Sequence, residues 1–392
     1  MLSIVYAGLR IPYKLLSWAI PRGARDWLVR PYITYSKKKN LDAITEALPY
    51  WERQVRFKDL KPVRVGLVGA GSYARYHLEV LSSLPGVEIS SILTTGNPRV
   101  TDVADRYNIK AIYTDQAQFL DQDEVDCFFV AASAHAVKPV SQACLATGRP
   151  VFMEKPPGFS SQETQELIEQ ARQSNTFGMV GMNRRFYSVL EHGLAALAEC
   201  GPLRGILLED HIAITKERNS GKYLPIEYQN FMSRNAIHGL DLLRYVLGDV
   251  RKVHSLAQRH ADWGYSAASF AGLIEHENGG ISTYIGLWDT VRMTRFKVIA
   301  ENGWIELEPP DLKTCIFVDA QRRTFQIKPD PMDIKFRMGL YSQDSCFINA
   351  VRKGRAPALP ACLLPDAYST NALIEEIQSN NVHQDDPIER VS

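Results

Sequence analysis

The sequence is poor in cysteine and contains no recognisable metal-binding motif. Its 392 residues include six cysteines, none of which forms a CxxC pair, and it has no HExxH motif or Cys/His cluster. Secreted disulfide scaffolds are shorter and richer in cysteine, and structural zinc sites need clustered thiol and imidazole ligands. We therefore expect reduced thiols, no metal and a cytoplasmic location.

The sequence also has almost no net charge. Lys and Arg total 45 and Asp and Glu total 44, which leaves a net charge of +1. Nucleic-acid binding needs a concentrated basic surface, so this balance gives no reason to expect DNA or RNA as a partner. A content of 45% hydrophobic and 23% charged residues is typical of a globular chain, and the length predicts two or three domains.

Residues 1–60 differ in charge from the rest of the chain. They contain eleven Lys or Arg and five Asp or Glu, so their net charge is +6 against −5 for the remainder. Arg10, Pro12 and Lys14 interrupt the first apolar stretch, which makes it a poor membrane-spanning helix and a poor secretory signal. This basic arm fits packing on its own domain or on a partner subunit, or peripheral contact with an anionic membrane surface.

A strand, a glycine turn and a helix follow the arm in immediate succession. Residues 63–68 read VRVGLV, which is typical of a short buried strand, and apolar spacing predicts a helix over 74–84. The sequence GAGSYA links the two. This arrangement is the context in which a GxGxxG/A pattern predicts dinucleotide binding.

Each residue of the turn has a physical role in that prediction. Gly69 permits the tight turn, Gly71 admits a pyrophosphate to the backbone, and Ala74 lets the helix pack closely on the strand. The N–H groups at the start of the helix, at Ser72 and Tyr73, are free to face the phosphate.

The alternation of strands and helices continues beyond the turn. We expect strands at 87–93, 125–130 and 151–153, and helices at 101–107 and 137–146. The apolar run at 125–130 is typical of a parallel sheet covered on both faces. Ligands gather at the carboxyl ends of such strands, which makes Glu154, Lys155 and Pro156 candidates for a functional site.

The acidic residue that usually ends the second strand, where it binds the ribose of NAD, is missing. The chain has Thr94 and Thr95 at that position, followed by Arg99. Hydroxyl groups and a guanidinium suit a 2′-phosphate better than a carboxylate does, which favours NADP over NAD. The alternative is that this segment is only a loop and that NAD is held elsewhere.

Four motifs in order resemble the glucose–fructose oxidoreductase/inositol dehydrogenase/MocA family, over about residues 62–379. The motifs are GAGSYA (69–74), EKP (154–156), GMNRRF (181–186) and IHGLDLL (237–243). The resemblance implies an α/β fold: a Rossmann domain at 61–182 and a C-terminal α/β domain with a large, mostly antiparallel sheet at 183–380, followed by a tail at 381–392. Strand-like runs with no clear helix between them agree with this, at 281–287, 296–300, 304–307, 315–318 and 324–327.

The resemblance also implies roles for individual residues. Lys155 approaches nicotinamide and substrate and assists a proton relay, and desolvation lowers the pKa of a buried lysine toward the working range. His238 is the general acid or base at the substrate hydroxyl. Glu154 orients the loop and lies near the coenzyme, and the peptide bond before Pro156 is a candidate for the cis form.

Further residues are expected around this pair. Asn183 and Arg184 line the nicotinamide and substrate side, whereas Arg185 makes structural ion pairs. Asp241 lies three residues after His238, so it shares a helix face and either orients the imidazole beside the substrate or caps the helix. Ser133 and the nearby His135 follow the fourth strand, where either contacts the coenzyme or simply belongs to a loop.

The sequence departs from the family pattern at one important position. Many members carry Asp four residues before the histidine, and here that position is Arg234. The Lys–Asp–His set of those members therefore lacks its Asp in this sequence. A basic residue there suits a phosphate or carboxylate on the substrate, and with Arg184 and Lys216 it makes an electropositive mouth.

These features predict an NAD(P)-dependent oxidoreductase that moves hydride between nicotinamide and a hydroxyl- or carbonyl-bearing carbon of a sugar, cyclitol or nucleotide-sugar. The alternatives are an NAD-dependent glycosidase on the same fold and a non-catalytic nucleotide-binding subunit. The resemblance further implies a homo-oligomer.

Overall fold

The computed structural model describes the chain in several ranges. These are residues 3–6, 9–12, 61–96, 100–122, 124–221, 223–258, 269–288 and 290–379. Most of the basic arm, Arg99 and the expected tail at 381–392 lie outside them. Within the arm, strands β1 (Ser3–Tyr6) and β2 (Leu9–Pro12) pair in antiparallel fashion.

The first layer is a seven-stranded sheet built on the predicted βα alternation. Its strands are β3 (Val63–Val68), β4 (Val87–Leu93), β5 (Ala111–Tyr113), β6 (Cys127–Val130), β7 (Val151–Met153), β8 (Gly178–Val180) and β17 (Cys362–Leu363). The spatial order is β17-β8-β7-β6-β3-β4-β5, parallel except for the β17 edge. β6 and β7 are buried throughout because helices cover both faces of the sheet.

Five helices from the first part of the chain cover this sheet. In chain order the first five are α1 (Ser72–Leu81), α2 (Val100–Tyr107), α3 (Gln116–Leu120), α4 (Ala134–Ala146) and α5 (Ser161–Gln173). α1 starts two residues before the predicted helix and ends three residues early. Pro85 explains the early end, because the residue before a proline disfavours helical backbone.

The second layer is an eight-stranded sheet, as the resemblance implied. Its strands are β9 (Leu203–His211), β10 (Val250–Gln258), β11 (Ser269–His276), β12 (Ile281–Leu287), β13 (Met293–Ala300), β14 (Gly303–Leu307), β15 (Cys315–Val318) and β16 (Thr324–Ile327). The order is β10-β11-β12-β9-β13-β14-β15-β16, antiparallel except that β12 runs parallel to β9. Strands β9, β10 and β11 were not among the predicted runs.

Seven further helices connect and cover the two sheets. They are α6 (Ser188–Leu197), α7 (Ile214–Asn219), α8 (Pro225–Gln229), α9 (Ile237–Leu247), α10 (Pro331–Lys335), α11 (Leu340–Lys353) and α12 (Leu364–Ser379). A 3₁₀ turn (Asn183–Phe186) precedes α6, and a π-helical turn (Met232–Ala236) leads into α9.

The last part of the chain returns to the first layer. α11 packs against α1 on one face of the parallel sheet, α12 packs against α5 on the other, and β17 extends the sheet edge. Residues that follow the expected boundary at residue 182 therefore complete the first layer, and the boundary itself stays a prediction.

Candidate active site

The glycine turn after β3 has the shape that a dinucleotide needs. Gly69 has a φ of +101°, and an added Cβ would lie 2.4 Å from the backbone oxygen of Ala131. An added Cβ on Gly71 would meet no atom of the described residues within 4 Å, so this side of the turn is open with respect to them. No side chain caps α1, whose first residues Ser72 and Tyr73 are exposed, whereas Ala74 is fully buried. The first-turn N–H groups remain available to a phosphate.

The end of β4 differs in part from the expected 2′-phosphate site. Thr94 is buried, and its N–H donates to the carbonyl of Tyr113 at 2.9 Å. Thr95 is exposed, and Gly96 follows with a φ of +89°. Of the two threonines, Thr95 is the one that solvent or a ligand can reach.

The start of α4 lies beside a glutamate from the second part of the chain. Ser133 stands at the N-cap position with no side-chain cap, and its Oγ is 3.4 Å from His135 Nε2. Glu227, which is 3% exposed, accepts a hydrogen bond from the Ala134 N–H at 3.1 Å and lies 3.9 Å from His135 Nδ1. Sequence reasoning missed Glu227, which ties α8 to the edge of the first sheet.

Lys155 lies directly after β7, and its peptide bond to Pro156 is cis, as expected. Its ammonium donates to the backbone carbonyl of Arg234 at 2.9 Å. Burial lowers the pKa of Lys155 to about 8, and Arg234 and Arg184 act in the same direction, while Glu154 opposes the shift. Near neutral pH this amine therefore exchanges protons readily.

His238 lies in the first turn of α9, next to Lys155. Burial lowers its pKa well below the usual value, and the charges of Lys155 and Arg184 lower it further. Its buried Nδ1 has no hydrogen-bond partner among the described residues. The neutral imidazole therefore keeps a free polar atom for a ligand.

Asp241 does not serve the imidazole or the substrate as expected. It is 1% exposed, and its two oxygens accept hydrogen bonds from Arg185 at 2.7 and 2.5 Å. Arg185 also binds Asp366 at 2.5 Å, so the expected structural ion pairs of Arg185 include Asp241. Three-residue spacing placed both side chains on one helix, but the buried guanidinium attracts the carboxylate more strongly than a neutral ring does.

Arg184 and Arg234 point polar atoms into the same region. Nη1 of each is buried without a hydrogen-bond partner within the described ranges. Arg234 lies 3.6 Å from Glu217 and stacks on the ring of Tyr223, 3.4 Å from its centroid. One side of each guanidinium thus stays free in a water-poor environment, which is costly unless a ligand binds there.

Asn183 and Asp210 differ in whether their polar side-chain atoms already have hydrogen-bond partners. Asn183 uses its side-chain amide to donate to the Met338 carbonyl at 3.0 Å, so it fixes the 3₁₀ turn. Asp210 on β9 is 3% exposed, has one oxygen without a partner among the described residues, and its pKa is raised by burial against the opposing effect of Arg184. Sequence reasoning missed Asp210, because its strand was not predicted.

Lys216 lies apart from these groups. It lines an open cleft of about 870 Å³ together with Ala213, Thr215, Asn219, Ser220, Thr290 and Val291. The helix α7 that carries Lys216 also carries Glu217, the partner of Arg234. Of the three residues of the predicted electropositive mouth, Arg184 and Arg234 therefore act on Lys155, whereas Lys216 lines this cleft.

Glu154 is turned away from the expected coenzyme contact. Its side chain is buried, and Oε1 lies 3.0 Å from Nε2 of His77 on α1. Neither His77 nor its second partner, Asp344, was predicted. The available signal was a histidine next to Leu78, on the apolar face of the first helix.

Comparison with known proteins agrees with this architecture. A family model described as an oxidoreductase family with an NAD-binding Rossmann fold matches residues 63–182. A 4-carboxy-2-hydroxymuconate-6-semialdehyde dehydrogenase from Sphingobium is 25% identical over 318 residues, covering 78% of this chain and 96% of the relative. A myo-inositol 2-dehydrogenase from Thermotoga maritima is 22% identical over 191 residues, which cover 48% of this chain and 55% of the relative.

A solved structure shares the fold at low identity. Levoglucosan dehydrogenase in complex with NADH and levoglucosan has a TM-score of 0.67 and 16% identity, covering 81% of this chain and 96% of that one. The match over residues 63–182 confirms the resemblance to the glucose–fructose oxidoreductase/inositol dehydrogenase/MocA family for the Rossmann part of the chain, and the predicted class of NAD(P)-dependent oxidoreductase is confirmed.

The described residues bear on membrane spans and on metal binding. No helix among them is both long enough and apolar enough to span a membrane. Within the same ranges, no group of three or more His, Cys, Asp or Glu side chains is arranged to hold a metal ion. All six cysteines are buried and unpaired with one another.

Proposed function

We propose that this protein moves hydride between a nicotinamide coenzyme and the hydroxyl- or carbonyl-bearing carbon of an anionic sugar, cyclitol or related polyol. The observation that carries the proposal is the pairing of Lys155 and His238 at the carboxyl end of β7. Burial lowers the pKa of both side chains, so Lys155 exchanges protons near neutral pH while the imidazole of His238 stays neutral and offers a hydrogen bond.

The chain fits a dinucleotide at the edge where β3, β6 and β7 end. The open face of Gly71 and the uncapped start of α1 suit the pyrophosphate, and the start of α4, where the Ala134 N–H is bound by Glu227, lies on the same edge. Bound there, the nicotinamide supplies or accepts the hydride.

Lys155 is the residue that we assign to the substrate hydroxyl. Its neutral amine accepts the hydroxyl proton during oxidation, and its ammonium returns that proton during reduction. The carbonyl of Arg234 holds the amine in place. His238 presents its unpartnered Nδ1 to the same substrate and orients the hydroxyl by a hydrogen bond.

The two arginines favour an anionic substrate. Nη1 of Arg184 and of Arg234 is buried and has no hydrogen-bond partner in the described ranges, and a carboxylate or phosphate is the natural partner for such a group. The name of one relative includes a carboxyl-bearing semialdehyde, which agrees with an anionic substrate, whereas inositol and levoglucosan in the other names are neutral and agree only with the polyol class.

NADP remains the coenzyme that we favour. The supporting features are an exposed Thr95 and the absence of an acidic residue at the end of β4. A carboxylate there would repel a 2′-phosphate, whereas a hydroxyl donates to it.

The first test titrates the purified protein with NADH and NADPH and follows nicotinamide fluorescence. We expect both to bind, NADPH more tightly. The Lys155→Met variant should keep both dissociation constants within about threefold while losing on the order of 10³-fold in turnover of polyol acids. Lys110→Met, which alters an exposed lysine, is the control.

The outcomes separate the alternatives. Tighter NADH binding would remove the preference for NADP but leave the reaction class. Coenzyme that stays bound through dialysis and is not consumed while sugar is released would indicate a closed redox cycle. Failure to bind either coenzyme would contradict the proposal.

We also propose that a second copy of the chain covers the outer face of the eight-stranded sheet. Six apolar side chains project from this face, each 40–51% exposed: Leu207, Leu256, Leu273, Ile281, Ile285 and Leu287. Contiguous exposed apolar surface of this kind marks an interaction site. The resemblance to the family favours a like subunit as the partner.

A further inference from the structure

Three buried ionisable side chains form a chain of hydrogen bonds behind Lys155. Nδ1 of His77 lies 2.8 Å from Asp344 Oδ2, and its Nε2 lies 3.0 Å from Glu154 Oε1. The side chains of His77 and Asp344 are fully buried, and that of Glu154 is 10% exposed. Burial of three ionisable groups is expensive and is tolerated only when they are paired.

The three residues come from distant parts of the chain that meet at the candidate active site. His77 lies on α1, the helix whose start faces the coenzyme, and Asp344 lies on α11. Glu154 precedes Lys155 directly. An added Cβ on Gly181 would lie 3.1 Å from Glu154 Oε1, so the start of the Asn183–Arg184 segment also packs on this carboxylate.

The imidazole between the carboxylates is charged. Burial alone would lower its pKa, but Asp344 and Glu154 raise the pKa of His77 to about 10. Phe129 and Phe152 pack around the ring, with centroids 5.8 and 5.2 Å away, and shield the group from water. The ring is therefore protonated at physiological pH and carries its positive charge between the two carboxylates.

We propose that His77 and Asp344 are positioning residues that hold the Glu154 carboxylate in place and so fix the Lys155 side chain in the active site. This inference rests on the proposed role of Lys155. The carboxylate attracts the Lys155 ammonium, while the imidazolium beside it balances part of that attraction. Arg184, Arg234, Glu217 and His238 are the other charged or titratable groups that act on the amine.

Two substitutions should move the proton affinity of Lys155 in opposite directions. Glu154→Gln removes an attractive negative charge, so the pKa of Lys155 falls. Asp344→Asn removes one of the two carboxylates that keep the imidazole charged. The ring then loses its proton at lower pH, Glu154 loses its counter-charge, and the pKa of Lys155 rises.

Competitive acylation of the holoprotein with a small amine reagent, read by mass spectrometry across pH 6 to 10, measures this pKa without any substrate. We expect the pKa of Lys155 to shift by about half a unit or more, downward in Glu154→Gln and upward in Asp344→Asn. Asp333→Asn is the matched control, because Asp333 is also a buried carboxylate that accepts hydrogen bonds, here from Ser188 and Gly339. It should lower the unfolding temperature and leave Lys155 unchanged.

Shifts no larger than that of the control would overturn the proposal. If Asp344→Asn does not fold, Glu154→Gln and the nitrogen NMR signals of His77 at pH 8 decide instead: a neutral ring contradicts the proposal. If the pKa shifts occur but no polyol acid is turned over, the positioning network stands and the proposed reaction fails.

Discussion

At the scale of single residues, environment decides chemistry. Lys155 and Lys110 are the same residue type, but Lys110 is exposed and paired with Glu88, whereas Lys155 is buried among cationic groups. Burial and two neighbouring arginines bring the Lys155 pKa to about 8. Between pH 7 and 9 the neutral fraction of the amine rises, so oxidation that uses it as a base should become faster and then level off.

Sequence reasoning reached these residues unevenly. Lys155 and His238 were predictable because short motifs mark them. His77, Asp210 and Asp344 were not, since each acts through a partner far away in the chain. Asp241 was misplaced because helix spacing cannot reveal that Arg185 arrives from another segment.

A substitution at Arg234 tests the proposed preference for an anionic substrate. Arg234→Gln keeps a hydrogen-bond donor but removes the charge that a substrate anion would neutralise. We expect KM for a sugar acid or phosphate to rise about 10- to 100-fold, which corresponds to the loss of about 1.5–3 kcal/mol for a charged hydrogen bond. KM for the neutral sugar should change less than threefold. Steady-state kinetics with the matched pair of substrates tests this, and equal increases for both would contradict the anionic assignment.

At the scale of secondary-structure elements, the predicted bounds were most accurate where the hydrophobic pattern and the turn-forming residues agree. β4 and β7 have the predicted bounds, because each contains β-branched or aromatic apolar residues and is bounded by turn residues. β5 and β8 have three residues each and were not predicted, since such short strands carry little periodicity. The helix α1 ended early because local proline chemistry outweighed its apolar spacing.

The glycine turn supplies a matched pair of substitutions. Gly69→Ala forces a side chain onto a φ of +101° and against the Ala131 carbonyl, so the free energy of unfolding should fall by about 2 kcal/mol or more. Gly71→Ala meets no protein atom, so its stability should stay close to that of the unmodified protein. Its added methyl instead occupies space for the pyrophosphate, and coenzyme affinity should drop at least tenfold.

Thermal unfolding of the coenzyme-free protein and fluorescence titration with NADPH separate the two effects. A stable Gly71→Ala protein with unchanged coenzyme affinity would show that the pyrophosphate does not lie over this turn.

At the scale of the whole molecule, segments that are distant in the sequence meet at the candidate active site. The parallel sheet supplies Lys155 and the edge where we place the coenzyme, the π-helical turn before α9 supplies Arg234, and the first turn of α9 supplies His238. The return of α11 and α12 then packs both layers together. Family motifs in the sequence predicted the two sheets, but the return of β17 to the first sheet depends on long-range pairing that no local pattern encodes.

Substitutions on the outer face of the eight-stranded sheet test the proposed dimer. Leu273 and Ile285 project from neighbouring strands on this face and are 46% and 40% exposed. The double variant Leu273→Asp with Ile285→Asp would bury four carboxylates in a two-fold dimer, so the dimer should dissociate. Sedimentation equilibrium should give twice the chain mass of 44.2 kDa for the unmodified protein and the single mass for the variant.

The control is Ile334→Asp, since Ile334 is 71% exposed on α10, outside this sheet, and the control should remain dimeric. A monomeric unmodified protein that dimerises once residues 1–60 are removed would instead assign the face to the basic arm. Equal masses for all three full-length proteins would contradict a dimer through this face, because two aspartates per subunit cannot stay buried and unpaired in the interface without a large loss of affinity.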